Sequence, residues 1–103
     1  MSYRVLTINR RPNTTVSWYS DSSADQELKA QVMEMMFSVF HGKKVRTVTE
    51  PDELTQEVEF IWETKELYED YAGRSLTIQS REAVAAYNDS VGIITDPRIE
   101  EEI

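Results

Sequence analysis

VEFIWETKELYEDYAG, residues Val58 to Gly73, reads as a strand that passes directly into a helix. Successive side chains of a strand point to opposite faces, so Val58, Phe60 and Trp62 share one face while Glu57, Glu59, Ile61 and Glu63 share the other. Thr64 then stands at the N-cap, its hydroxyl able to accept a backbone N–H of the first helical turn. From there the period is helical: Leu67, Tyr68, Tyr71 and Ala72 form an apolar stripe, and Gly73 is expected in the left-handed conformation that ends many helices.

Before this segment, Lys43 to Glu50 (KKVRTVTE) reads as a strand, Pro51 and Asp52 as a turn, and Thr55 to Trp62 as the returning strand, which predicts an antiparallel hairpin. Further upstream, Leu28, Val32, Met35, Met36, Val39 and Phe40 recur at helical spacing and predict a helix with a wide apolar stripe. Ser22 and Ser23 open it, with Ser23 and Gln26 at capping-box spacing, and Gly42 closes it. Tyr3 to Asn9 (YRVLTIN) is rich in β-formers and predicts the core strand, broken by the turn chemistry of Arg11-Pro12-Asn13. Thr14 to Ser20 (TTVSWYS) reads as a second extended run, either a hairpin partner of that strand or an extended crossover. Downstream, RSLTIQ (Arg74 to Gln79) reads as a short irregular or extended link. Ser80 is expected to cap a further helix with Val84, Tyr87 and Val91 on one face, ended by Gly92. The tail, Pro97 to Ile103, is β-compatible at Arg98 and Ile99 and strongly acidic.

This order of strand, helix, strand, strand, helix pair and strand predicts one α+β domain over residues 1–103. With right-handed crossovers it becomes a ferredoxin-like two-layer sandwich, an antiparallel sheet with helices on one face. The sheet face left over carries apolar surface, and a second copy packed sheet to sheet would cover it, so a two-fold homodimer is expected.

With the strand ending in Trp62, the helix beginning at Thr64 and this element order, the chain resembles the dimeric α+β barrel proteins. Within them it resembles the antibiotic-biosynthesis monooxygenase-like family. The resemblance implies a homodimer of ferredoxin-like protomers, with Trp62 as the pocket tryptophan and Tyr68 where some quinone-forming members carry a substrate-facing tyrosine. Where those enzymes place an asparagine shortly before the tryptophan, this chain has Val58. Where haem-degrading members carry an iron-ligating histidine, it has Tyr71 and Ala72, so haem ligation by that route is not expected.

The chain carries 19 acidic against 11 basic residues, a formal charge of -8, and no basic cluster with interleaved aromatics, so nucleic acid is not an expected partner. The absence of cysteine excludes disulfides, thiolate nucleophiles and cysteine-ligated metals. No leader or membrane-length apolar run is visible, and a cytoplasmic protein without membrane association is expected. Neither calcium-loop spacing nor a glycine-rich phosphate cradle occurs, so no metal or cofactor is expected.

Trp62, Tyr68, Phe60, Tyr87 and Trp18 are the candidate lining of a pocket for a small hydrophobic or aromatic ligand, with the phenols free to hydrogen-bond it. The same rings in a packing role are core or interface aromatics. The Trp62 indole N–H is expected to find an acceptor if buried. His41, the one histidine, stands at a helix C-terminus, where the dipole favours its cation and a solvated capping role over catalysis. Glu100, Glu101 and Glu102 cannot lie in a dry core. They either guard a sheet edge or reach basic residues of a neighbouring subunit, with Arg4, Arg10, Arg46 and Arg98 as partners. The first functional reading is a small-molecule-binding or accessory protein. The second is a cofactor-independent monooxygenase or isomerase acting on an aromatic or phenolic substrate, and the third a regulatory or structural subunit of a larger protein partner.

Overall fold

Register decides which side chains meet. In the computed structural model, which describes all 103 residues, β1 (Tyr3–Arg10) and β3 (Thr55–Trp62) pair antiparallel with Tyr3 opposite Trp62, Val5 opposite Phe60 and Thr7 opposite Val58. All six side chains therefore share one sheet face. The hairpin partner β2 (Lys44–Asp52) lies at one edge. Along the free side of β1 run two short pieces, β4 (Ile94–Thr95) beside Asn9 and Arg10, and β5 (Ile99–Glu102) beside Tyr3 to Leu6. The result is an α+β fold with a five-stranded, wholly antiparallel sheet of order β2-β3-β1-β4, β5 also pairing with β1.

Three helices cover the Tyr3–Trp62 face: α1 (Gln26–Val39), α2 (Lys65–Gly73) and α3 (Ser75–Val91). Met35 and Phe40 from the α1 end and Tyr68 from α2 join Tyr3, Val5 and Trp62 in a single buried cluster. Trp62 and Phe40 are each only 1% exposed and meet edge to face at 5.5 Å, an arrangement that suits the ring quadrupoles. At the β3–α2 junction the Thr64 hydroxyl accepts the Leu67 N–H at 3.2 Å, and the cap forms as the sequence predicts. No helix is long and apolar enough to cross a membrane.

The opposite face of the sheet has no helical layer. Arg4 bridges Glu59 at 2.7 Å and Glu101 at 2.8 Å across it, so one member of the acidic tail finds its partner within its own chain. Arg10 likewise holds Asp96.

Several local expectations are corrected. Thr14 to Ser20 forms turns and then a single 3-10 turn, Tyr19–Asp21, rather than a strand. Its backbone is satisfied without a ladder, because the Asn13 side chain accepts the Thr15 N–H at 3.0 Å and the Arg11 guanidinium donates to the Val16 carbonyl at 2.9 Å. The Ser23–Gln26 capping box does not form, and α1 starts at Gln26 behind Asp25, which is left-handed at φ 52°. The Asp25 carboxylate is engaged by the Tyr19 hydroxyl at 3.1 Å instead. The RSLTIQ segment is helical from Ser75 onward, so Ser80 lies inside α3, and Arg74 alone separates the two helices. Thr77 there is fully buried, and tertiary packing outweighs the β-branched residues' preference for strands. Gly73 keeps an ordinary φ within α2, whereas Gly42 and Gly92 take the positive φ expected of helix terminators. Pro51 and Asp52 belong to β2 rather than to the turn, which falls at Glu53 and Leu54; Pro51 occupies a bulge between Thr49 and Asp52, where a missing N–H does no harm to the ladder.

Candidate functional site

The five aromatic residues singled out from the sequence fall into two groups. Trp62, Phe60 and Tyr68 lie together around Tyr71, whose ring centre is 5.0 Å from that of Trp62 and 6.5 Å from that of Phe60. Trp18 and Tyr87 belong to a second group that pins the segment after β1. Trp18 is buried beneath the Arg11 guanidinium at 4.8 Å, and the Tyr87 hydroxyl donates to the Ser17 carbonyl at 2.6 Å. The indole N–H groups of both tryptophans are buried with no acceptor in the protein. His41 is exposed beside Phe37, with ring centres 5.1 Å apart.

A cleft of about 320 Å³ opens next to the first group, between the sheet and α3. Its cause can be followed along the β1–β3 register. The large pairs Tyr3–Trp62 and Val5–Phe60 give way on the same face to Thr7–Val58 and Asn9–Gln56, while α3 presents Ser80, Val84 and Ala85 to the space above. Small residues on both walls leave volume that none of the surrounding rings fills. None of Trp62, Phe60, Tyr68, Tyr87 and Trp18 is part of the lining, and Tyr71 is the ring that connects the aromatic group to the cleft.

One end of the cleft is closed by an ordered polar chain. Asn9 donates to the Gln56 side-chain carbonyl at 3.2 Å, Thr95 donates to Asn9 at 2.6 Å, and Asn88 donates to Thr95 at 3.2 Å. Gln56 and Asn88 are buried, and their bonds to Asn9 and Thr95 respectively offset the cost of removing these amides from water. Towards the other end stand three arginines from three elements: Arg46 on β2, Arg81 on α3 and Arg98 in the β4–β5 connection. Arg81 donates to the Tyr68 hydroxyl at 3.0 Å.

The phenols respond to these surroundings. Burial pushes Tyr71 above the ordinary phenol range; Arg81, Arg98 and Arg46 pull it back, while Tyr68 adds to the rise. Burial likewise raises Tyr68, with the Arg81 hydrogen bond opposing and Glu100 reinforcing. Tyr19, at the rim, is pushed up to about 12 by burial and by its bond to Asp25. All three are neutral hydroxyls near pH 7, and Tyr71 has no side-chain acceptor of its own.

A broader depression of about 580 Å³ lies by the β2–β3 turn, lined by Arg10, Arg11, Asp52, Glu53, Leu54 and Thr55. It is open to solvent, and its arginines are already engaged, Arg10 with Asp96 and Arg11 with the Glu53 carbonyl at 2.8 Å. The cleft combines apolar walls with convergent polar groups, the character of small-molecule sites, and the depression does not. No group of three or more histidines and carboxylates is arranged to hold a metal ion.

Sequence reading missed Arg81, Val84 as a lining residue and the convergence of Arg46 with Arg98. A partial signal existed for Arg46, which the hairpin register sets opposite Phe60 and hence on the helix-covered face. No family model matches the chain, and no curated protein or solved structure matches it either.

Proposed function

We propose that the chain is a small-molecule-binding protein, and that the ligand occupies the cleft between the sheet and α3. The observation that carries this reading is a volume of about 320 Å³ with an apolar wall of Val58, Tyr71, Val84 and Ala85 and an ordered polar end. Guanidinium, amide, hydroxyl and phenol groups bind and orient a ligand, and a flat apolar body suits a lining with two rings, Tyr19 and Tyr71, and three aliphatic side chains. Ferredoxin-like topology belongs to the same reading, supported by the sheet order and by three helices on one face. So does a homodimer joined through the outer sheet face, where Ile8, Ile61 and Ile99 alternate with the Arg4 ion pairs and no helix covers them.

Filling the cleft tests the proposal. Val84→Trp should retain the circular dichroism spectrum and abolish the saturable thermal stabilisation that small aromatic acids and alcohols give the unaltered protein. Equal stabilisation of both proteins would place the ligand elsewhere. For the dimer, sedimentation equilibrium should return twice the chain mass, and a monomer at micromolar concentration would remove that part of the reading.

A further inference from the structure

Resting on that reading, we propose that the cleft is built for an organic carboxylate: an anion held by Arg46, Arg81 and Arg98, with an apolar body lying along Tyr71 and Val84.

Charge distribution is the first ground. The chain has 19 acidic residues, yet the fifteen residues lining the cleft include three arginines and no aspartate or glutamate. Outside the cleft, Arg4 holds two carboxylates, Arg10 and Arg74 hold one each, and Arg11 donates to two backbone carbonyls. Arg46, Arg81 and Arg98 form no ion pair, and the carboxylate near them, Glu100, acts on the Tyr68 hydroxyl to which Arg81 donates. Three like charges gathered at a partly enclosed site repel one another, and an anionic ligand removes that repulsion. In a protein of net charge -8 this is a local reversal of sign at the cleft.

Shape is the second. A guanidinium presents a planar fork that matches the two oxygens of a carboxylate, and forks arriving from a strand, a helix and a loop can meet one such group from several sides. Arg46 stands opposite Phe60, four residues along β3 from Gln56, so the cationic end and the amide end are about 13 Å apart at the usual strand rise. That length accepts a carboxylate, a ring system and a polar substituent in line. The neutral Tyr71 hydroxyl is a donor beside the body of such a ligand, and Val58, Val84 and Ala85 reject a fully hydrated one.

Calorimetric titration with 2-naphthoate, with neutral 2-naphthylmethanol and with inorganic phosphate tests the class. The variants are Arg46→Gln/Arg98→Gln, which changes only exposed side chains, and Arg81→Lys, which keeps the charge and loses the fork. 2-Naphthoate should bind at least about tenfold more tightly than 2-naphthylmethanol, and the double variant should abolish that preference while leaving 2-naphthylmethanol within about twofold. Arg81→Lys should weaken 2-naphthoate, and added salt should do the same. Equal affinity for the acid and the alcohol would overturn the carboxylate assignment and leave the cleft as a neutral-ligand site. Phosphate that binds more tightly than 2-naphthoate, with the same arginine dependence, would overturn it in favour of phosphoryl recognition. If neither naphthalene compound binds the folded protein, small-molecule binding itself falls.

Discussion

Replacing Phe40 by alanine should be among the most costly single truncations in the chain, and replacing Phe37, three residues earlier, should be nearly free. Phe40 is 1% exposed, edge-on to Trp62 at 5.5 Å and to Tyr71 at 5.9 Å, with the Arg74 guanidinium 5.1 Å from its centre. Phe37 is 72% exposed. Deleting a buried phenylalanine costs about 3–5 kcal/mol in lost transfer energy and residual cavity. Here the two edge-to-face pairs and the cation over the ring place the expectation at about 4 kcal/mol. Against a total stability of roughly 5–15 kcal/mol this leaves a marginal fold. At about 4–8 °C per kcal/mol for a domain near this size, the melting temperature should fall by roughly 15–30 °C. Phe37→Ala should stay within about 0.5 kcal/mol. Urea denaturation followed by tryptophan fluorescence measures both. A Phe37→Ala cost equal to that of Phe40→Ala would refute the packing described for the end of α1. A Phe37→Ala cost that grows with protein concentration would show instead that a second molecule covers that side chain.

Thr64→Ala should destabilise by about 1 kcal/mol in the same assay, since it removes the acceptor of the Leu67 N–H, and Thr64→Ser should restore most of it. Gly92→Ala should cost about 1–2 kcal/mol through its φ of +81° alone, because the added methyl would meet Pro12 at an ordinary 3.5 Å. Tyr19 ionises in the unfolded chain near the usual 10 and in the folded protein at about 12, so its contribution is complete below pH 10 and is lost as the pH rises towards 12. Absorbance titration at 295 nm should show a late component to which Tyr68 and Tyr71 also contribute, its amplitude should drop by one phenol in Tyr19→Phe, and the variant's stability should fall less steeply across that window. An unchanged amplitude of the late component would remove the assignment to Tyr19.

How much of this was legible in the sequence follows from how local each signal is. The β3–α2 junction, most of the α1 stripe and the β2–β3 pairing are written in neighbouring residues, through period and capping chemistry, whereas Val39 is exposed and the hairpin turn falls at Glu53 and Leu54, not at Pro51 and Asp52. Residues Ser75 to Gln79 were misread because Thr77 and Ile78 favour strands by themselves, and only the buried contact with the rest of the core makes them helical. The capping box at Ser23 and Gln26 does not form because the helix starts behind a left-handed Asp25, whose carboxylate Tyr19, six residues away, claims. The cleft was not legible at all. It arises where the β1 and β3 faces taper together, and those strands lie some fifty positions apart. Arg46, Arg81 and Arg98 are equally scattered along the chain, and a lining that holds all three and no carboxylate is a property of the assembled site.

The location of the anion site can be read most directly from a methyl and amide chemical-shift titration of the isotopically labelled protein with 2-naphthoate. Saturable shifts concentrated at Val58, Tyr71, Ala85 and Arg98 are the expected result. Shifts that instead peak around Leu54 and Arg11 at the hairpin, or spread over the surface without saturating, would contradict the account.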